Sequence, residues 1–287
     1  MKKILVTGAG GFIGQRFIVY NKNKYQIQPL SLRDNSWETT ADISSFHSIL
    51  HLAGKAHEMQ KIDEHIYFDI NLTLTQKLIN KAIEQNVKQF IYVSSTKVYG
   101  DTVKEIITEN SSYNPSDAYG RSKMETEKYI LEKSDQIKVA IVRPPLVYGP
   151  NVKGNLNTLV KLCRKNIPLP LAKTNNLRSM IFIDNLIALF NTIIDQQESG
   201  IFLASDKNPI TTSDLIKAIK KEMDLSPKLF SIPLFIRPVI KFLYPSLHTR
   251  LFGSYIINST LTNQKLNFTP PYSFNEGIKS VVENCKQ

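Results

Sequence analysis

Lys3-Ile4-Leu5-Val6-Thr7-Gly8-Ala9-Gly10-Gly11-Phe12-Ile13-Gly14 decides how the rest of the chain is read. Residues 3–6 form an apolar run of strand length, a glycine-rich turn follows at once, and a helical pattern starts at about Phe12. At such a junction Gly8 can turn the chain tightly, Gly11 lets the backbone approach a pyrophosphate, and Gly14 lets the helix pack closely on a sheet. The helix start around Phe12 and Ile13 then offers N–H donors and a positive dipole end to an anion. A glycine-rich loop alone is weak evidence; at the first strand–helix junction it is strong.

Working outward, strand patterns recur at 25–32 (weakened by Pro29), 48–52, 89–93 and 138–142, the last stopped by Pro144-Pro145. Helical patterns fall within 61–86, where Ile70, Leu74, Leu78 and Ile79 share a face, and at 118–133 behind the turn Pro115-Ser116-Asp117. This alternation argues for an α/β chain with a doubly wound parallel (Rossmann) sheet, helices on both faces and ligands beyond the carboxyl ends of the strands. After Tyr148 the pattern turns irregular and carries ten of the fourteen prolines. The expected organisation is a dinucleotide-binding core at 1–148, with 180–204 returning to it, and a smaller C-terminal lobe built from 149–179 and 205–287.

Two strand ends carry chemistry. The second strand ends in Leu30-Ser31-Leu32-Arg33, with Ser31 where an acid would hold a free ribose 2′-hydroxyl. A hydroxyl and a guanidinium suit a 2′-phosphate, which favours NADP(H) over NAD(H); in the alternative, Arg33 is solvated and Asp34 takes the ribose. Tyr119-Gly120-Arg121-Ser122-Lys123 places a phenol and an ammonium on one helix face. A tyrosine near pKa about 10 is a poor base, but a neighbouring Lys⁺ and an oxidised nicotinamide both favour the phenolate, and a fall of roughly three units brings it into working range. Val93-Ser94-Ser95-Thr96, at the end of the preceding strand, offers hydroxyls to the same substrate oxygen.

Together with His51-Leu52-Ala53-Gly54, Asn71, Val98-Tyr99-Gly100, the Arg143-Pro144-Pro145-Leu146-Val147-Tyr148-Gly149-Pro150 run and Arg178-Ser179, these motifs resemble the extended short-chain dehydrogenase/reductase family of nucleotide-sugar epimerases, dehydratases and reductases. The resemblance spans nearly the whole chain. It implies an enzyme that moves hydride at C4 of a nucleoside-diphosphate sugar held by the C-terminal lobe. By position, Tyr119 would be the acid/base, Lys123 would hold the nicotinamide ribose and lower the Tyr119 pKa, and Ser95 would bond the C4 oxygen with Thr96 beside it. Leu52, Ala53 and Gly54 would line the pyrophosphate, Asp42 and Ile43 the adenine, Pro144, Pro145 and Leu146 the nicotinamide, with Asn71 in the same cofactor set. Asn155 and Arg178 match positions that bind diphosphate and nucleoside in UDP-sugar epimerases, and Arg250 is a looser match to a second phosphate-binding arginine. Members often dimerise through a four-helix arrangement that would include the Tyr119 helix.

Within that family, 4,6-dehydratases carry an Asp-Glu pair after the catalytic hydroxyl residue. Here Thr96 and Lys97 stand there, and neither replaces a carboxylate pair in water elimination. Reduction and epimerisation remain. The Ser31/Arg33 pair, and a likeness of 143–155, 167–171 and 176–179 to bacterial reductases of UDP-4-keto-6-deoxy-N-acetylglucosamine, favour 4-keto reduction in surface-polysaccharide synthesis. UDP-hexose 4-epimerisation is the alternative; a non-catalytic NADP-binding regulator is a second, opposed by the intact Ser95, Tyr119 and Lys123. One departure is the short stretch from Arg33 to Asp42, which shortens or removes a helix and leaves the adenine pocket partly open.

Composition sets the outer bounds. With 287 residues, 42% hydrophobic and 21% charged, the chain is globular, and a net charge of +11 points to an anionic partner. No basic tract interleaves with aromatics, so the anion is not expected to be nucleic acid. Cys163 and Cys285 form no CxxC unit and the five histidines show no metal spacing, so no metal site is expected; His51 reads as a buried hydrogen-bonding group and His57 as a weak candidate near the nicotinamide. Thr108-Glu109-Asn110-Ser111 reads as a surface turn. The N-terminal apolar run is too short for export, and 229–244 is broken by Pro233, Arg237, Pro238 and Lys241. The expectation is a cytoplasmic protein whose 229–244 segment packs on the lobe without membrane contact.

Overall fold

The computed structural model describes residues 1–56, 62–103, 105–172, 174–232 and 236–284. His57 and Cys285 lie outside the described residues, as does the side chain of Arg250. The first half runs β1 (Lys3–Thr7), α1 (Phe12–Asn21), β2 (Gln26–Leu30), α2 (Trp37–Thr40), β3 (Ser48–His51), α3 (Glu64–Phe68), a π-helical turn (Asp69–Thr73), α4 (Leu74–Glu84) and β4 (Gln89–Val93). A 3₁₀ turn (Thr96–Tyr99), α5 (Ala118–Leu131), β5 (Lys138–Arg143) and β6 (Leu146–Tyr148) follow. The remainder is α6 (Asn155–Arg164), β7 (Met180–Phe182), α7 (Ile183–Gln196), β8 (Gly200–Leu203), α8 (Thr212–Glu222), α9 (Ile236–Leu243), α10 (Pro245–Phe252), α11 (Thr260–Leu266) and α12 (Phe274–Asn284).

Six parallel strands form one sheet in the order β2-β1-β3-β4-β5-β8, and β6 and β7 pair separately. The chain leaves β1 to one side for β2 and crosses to the other for β3, so the Gly8 turn stands at the switch point of the winding. Strands covered on both faces read as unbroken apolar runs: every residue of β4 is buried. The outermost strand, β2, is mostly exposed and carries Pro29, whose missing N–H is tolerated at an edge. Between β2 and β3 the connection holds only the four-residue α2, anchored by buried Trp37, so the expected shortening is present.

One buried cluster runs from Ile4 and Val6 of β1 through Val142 of β5 and seven apolar residues of α7 to Val281 and Val282 of α12. A second, on the opposite face, joins Trp37, Ile43, Leu78, Phe90 and Ile130. Arg16 of α1 grips Asp184 of α7 through paired bonds of 2.7 and 2.6 Å.

Two expectations are corrected here. Of the four apolar residues assigned to one face in 61–86, Leu78 and Ile79 are buried but Ile70 and Leu74 are only half-buried; Tyr67, Asn71 and Thr75 take the inward positions, because the π turn shifts the register. Glu109 is more than a surface-turn residue: its Oε1 accepts from the Thr262 N–H (3.1 Å) and hydroxyl (2.6 Å), tying the turn to α11.

Candidate active site

The carboxyl ends of the parallel strands β1, β3, β4 and β5 lie along one edge of the sheet, with the Gly8 turn following β1. Gly8 has φ +68°, and a Cβ there would stand 2.6 Å from Ala53 N, so only glycine lets this turn lie against the Leu52-Ala53 loop after β3. A Cβ at Gly14 would clash with Gly8 O and stand 2.8 Å from Ala9 Cα, so the close approach of this glycine is to the turn and not to a strand. Gly11 caps α1 with no side-chain bond, and α1 has no acidic residue in its first turn, which leaves its N-terminal donors suited to a phosphate. Ala53 N is held by Thr7 Oγ1 at 3.2 Å. At Gly54 a Cβ would stand 2.9 Å from Asn71 Oδ1 and 3.5 Å from Lys123 Nζ, so that glycine keeps the approach to both clear.

Asn71 is buried in the π turn. Its side chain accepts from Lys55 N (2.8 Å) and donates to Ser122 Oγ (2.9 Å), while its carbonyl takes the Thr75 and Thr126 hydroxyls at 2.6 and 3.1 Å. Asn71 thus fixes α5 against the β3 loop. His51, buried between Thr7 Oγ1 (2.6 Å) and Thr75 Oγ1 (2.8 Å), is pushed down to about 3 by burial and then by the Lys123 charge, so it is a neutral bridge.

Asp117 caps α5 by accepting from Gly120 N at 2.7 Å, which sets Tyr119 and Lys123 one turn apart at the helix start. Ser95, just past the end of β4, acts on Tyr119 by favouring its ionised form, and its Oγ accepts from Lys97 N at 3.2 Å. The ring of Tyr67 meets that of Tyr119 edge-on at 6.1 Å. Burial is the first cause acting on Tyr119 and pushes the phenol up to about 12, with Ser95 opposing; the expected fall through Lys123 is absent in the chain alone. Lys123 explains why: its Nζ donates to Val93 O at 3.0 Å and lies 4.5 Å from the Tyr92 ring centre. Burial lowers Lys123 to about 8, against the pull of Glu127 one turn further on.

Glu127 was not singled out by the sequence, nor was its partner. Arg143, at the end of β5, binds Glu127 through Nε (3.0 Å) and Nη2 and also bonds Tyr99 and Tyr113, with both charged side chains nearly inaccessible. The signal was available: Tyr119, Lys123 and Glu127 recur at a spacing of four on one helix face.

Thr96 is buried and its carbonyl accepts from Tyr255 Oη at 2.6 Å, while Lys97 pairs with Asp101 and with Asp117 (3.2 Å). Arg178 lies 5.8 Å from the Tyr255 ring centre and donates to Gly253 O at 3.1 Å, so it is tied to the loop beside Ser95 through Tyr255. Asn155 stands exposed at the start of α6. Pro144 and Pro145 lead into β6, whose first residue Leu146 is 49% exposed. At the other end, Ser31 and Arg33 are exposed and adjacent, with Arg33 N 3.4 Å from Ser31 Oγ. Asp42 is exposed and spends one oxygen on Ser44, and those bonds hold its carboxyl below the usual range; Ile43 is buried, its N–H given to Gln85.

Ser94 Oγ is buried with no hydrogen-bond partner among the described residues, between Val93, which holds Lys123, and Ser95. An orphaned hydroxyl beside the Ser95–Tyr119 pair, a glycine cradle at a helix start and a cleared approach to Asn71 and Lys123 fit a dinucleotide laid across the strand ends. No cluster of metal-ligating side chains is found among the described residues.

The sequence model of the NAD dependent epimerase/dehydratase family matches residues 4–203. The chain is 29% identical over 311 residues to a UDP-glucose 4-epimerase of Vibrio cholerae, covering 98% of this chain and 95% of that protein. Its fold is that of the UDP-glucuronic acid 4-epimerase of Bacillus cereus in complex with NAD (TM-score 0.80, 19% identity, 99% of each chain). It is also that of RMD from Pseudomonas aeruginosa complexed with NADPH (TM-score 0.80, 16% identity, 99% of each chain).

Proposed function

The chain belongs to the NAD dependent epimerase/dehydratase family of enzymes, and on that premise we propose that it is a UDP-sugar 4-epimerase, oxidising C4 of the sugar and reducing it again from the other face. The observation that carries this reading is the pair of side chains after Ser95. Thr96 is buried and Lys97 is ion-paired to Asp101 and Asp117, so no carboxylate pair stands where water elimination needs one. The end-to-end likeness to a UDP-glucose 4-epimerase supports return of the hydride over release of a keto product.

A nicotinamide dinucleotide bound along the Gly8 turn would supply the hydride acceptor and donor. The chain's own residues handle the proton. Ser95 donates to the C4 oxygen, and Tyr119 takes the hydroxyl proton as C4 is oxidised and gives it back on reduction. Because burial raises the phenol, the reaction needs nearby positive charge; Lys123, with its pKa near 8, still carries most of its proton at pH 7. Asn155, Arg178 and Arg250 would hold the diphosphate, and a dimer through the α5 helices belongs to the same reading.

A second reading, reduction of a 4-keto sugar with NADPH, is favoured by exposed Ser31 and Arg33 where a 2′-phosphate would sit. Purified protein given UDP-glucose or UDP-N-acetylglucosamine with trace NAD⁺ is expected to form the C4 epimer with no net change in cofactor. Stoichiometric NADPH consumption with UDP-4-keto-6-deoxy-N-acetylglucosamine, with no epimer from either UDP-sugar, would overturn this in favour of reduction.

A further inference from the structure

Ser95 and Tyr119 stand on different elements, the turn after β4 and the start of α5, and Lys97 is tied to both. Its N–H donates to Ser95 Oγ at 3.2 Å, so its main chain helps to set the serine hydroxyl. Its ammonium pairs at 3.2 Å with Asp117, whose other oxygen caps α5 two positions before Tyr119. The same ammonium binds Asp101, which also accepts from Ser116 Oγ at 2.9 Å, so Lys97, Asp101, Ser116 and Asp117 close a ring between the turn and the helix. Gly120 lets the two press together: a Cβ there would stand 2.7 Å from Lys97 O. A fully exposed lysine–aspartate pair would hold little, but the Lys97 and Asp117 side chains are each only 27% exposed and each makes a second bond.

We propose that Lys97 is a positioning residue that holds the Ser95 hydroxyl and the Tyr119 phenol to one substrate oxygen. It acts through Asp117 and through its own N–H, and no proton or hydride passes through it. The inference rests on the reading of Ser95 and Tyr119 as the groups that act at C4, and it applies to epimerisation and to 4-keto reduction alike. With the ammonium removed, Asp117 still caps α5, but the helix loses its tie to the turn and the two hydroxyls can separate. A displacement of about 1 Å is enough to slow a reacting pair about 10²-fold.

Lys97→Met removes the ammonium and keeps the N–H that Ser95 uses. Wild type and variant are compared with UDP-glucose carrying deuterium at C4 and NAD⁺, or with UDP-4-keto-6-deoxy-N-acetylglucosamine and 4-deuterated NADPH if that is the reaction the wild type performs. Per bound dinucleotide, kcat is expected to fall about ten- to hundredfold while KM and dinucleotide affinity stay within about twofold. The deuterium isotope effect on kcat should be no smaller than in the wild type, because the loss falls on the hydride step. Lys97→Arg, which keeps the charge for both aspartates, should restore most of the rate. In an Asp117→Asn background, where the asparagine oxygen still caps α5, Lys97→Met should cost markedly less than it does alone. Three results overturn the proposal: an unchanged kcat in Lys97→Met, a loss confined to KM or to the thermal midpoint, or the same loss with and without Asp117. A wild type silent in both reactions overturns the reading of Ser95 and Tyr119, and the proposal with it.

Discussion

Tyr119 and Lys123 were legible as a pair from their spacing, but their ionisation was not. Spacing predicts a phenol lowered by its lysine; in the folded chain burial dominates, and the ammonium is turned to the Val93 carbonyl. Turnover is therefore expected to rise with pH as the phenolate fraction grows, a limb read from kcat against pH. Tyr119→Phe should cost about 10²–10⁴-fold in kcat while dinucleotide affinity, read by fluorescence titration, stays nearly unchanged. His51 gives a stability prediction. Folded, it takes a proton only below about 3, whereas unfolded it does so near 6.5, so between these values the unfolded chain binds more protons. Stability is then lost as pH falls through that window, and His51→Asn should flatten the dependence of thermal midpoint on pH between 7 and 4.

Strands and helices were the most legible level, because parallel strands buried on both faces and amphipathic helices leave opposite signatures. The stretch 61–86 shows where that reading stops. Apolar spacing assumes a constant turn, and the π turn at Asp69–Thr73 inserts a residue, so Asn71 and Thr75 replace Ile70 and Leu74 on the inner side. The displaced register is what brings a polar side chain to Lys55 and Ser122. Between α5 and β5 the buried Arg143–Glu127 pair does comparable work, since Glu127 lies one turn beyond Lys123. Glu127→Gln should cost about 3–5 kcal/mol in urea unfolding by leaving Arg143 unmatched in the interior, and Arg143→Met with Glu127→Leu should cost less than that single change.

At the scale of the molecule, the cluster that includes Ile4 also includes Val281, so the sheet and the last helix share a core. One cooperative transition is expected, with circular dichroism and intrinsic fluorescence giving the same midpoint; two separated transitions would count against a shared core. The stretches 149–179 and 205–284 were the least legible part, because they are placed by distant contacts such as Leu169 with Leu229 and Arg178 with Tyr255, which no local pattern encodes. The short Arg33–Asp42 stretch was legible, and it has a kinetic meaning. Ser31, Arg33 and Asp42 are all in water beside the edge strand β2, so on the proposed reading a dinucleotide would be held mainly at its nicotinamide end and only loosely at its adenosine end. Its residence time is then set by half of its length, so desalted protein should come off a column with less than one dinucleotide per chain, measured by absorbance after denaturation, and regain full rate when the cofactor is added back.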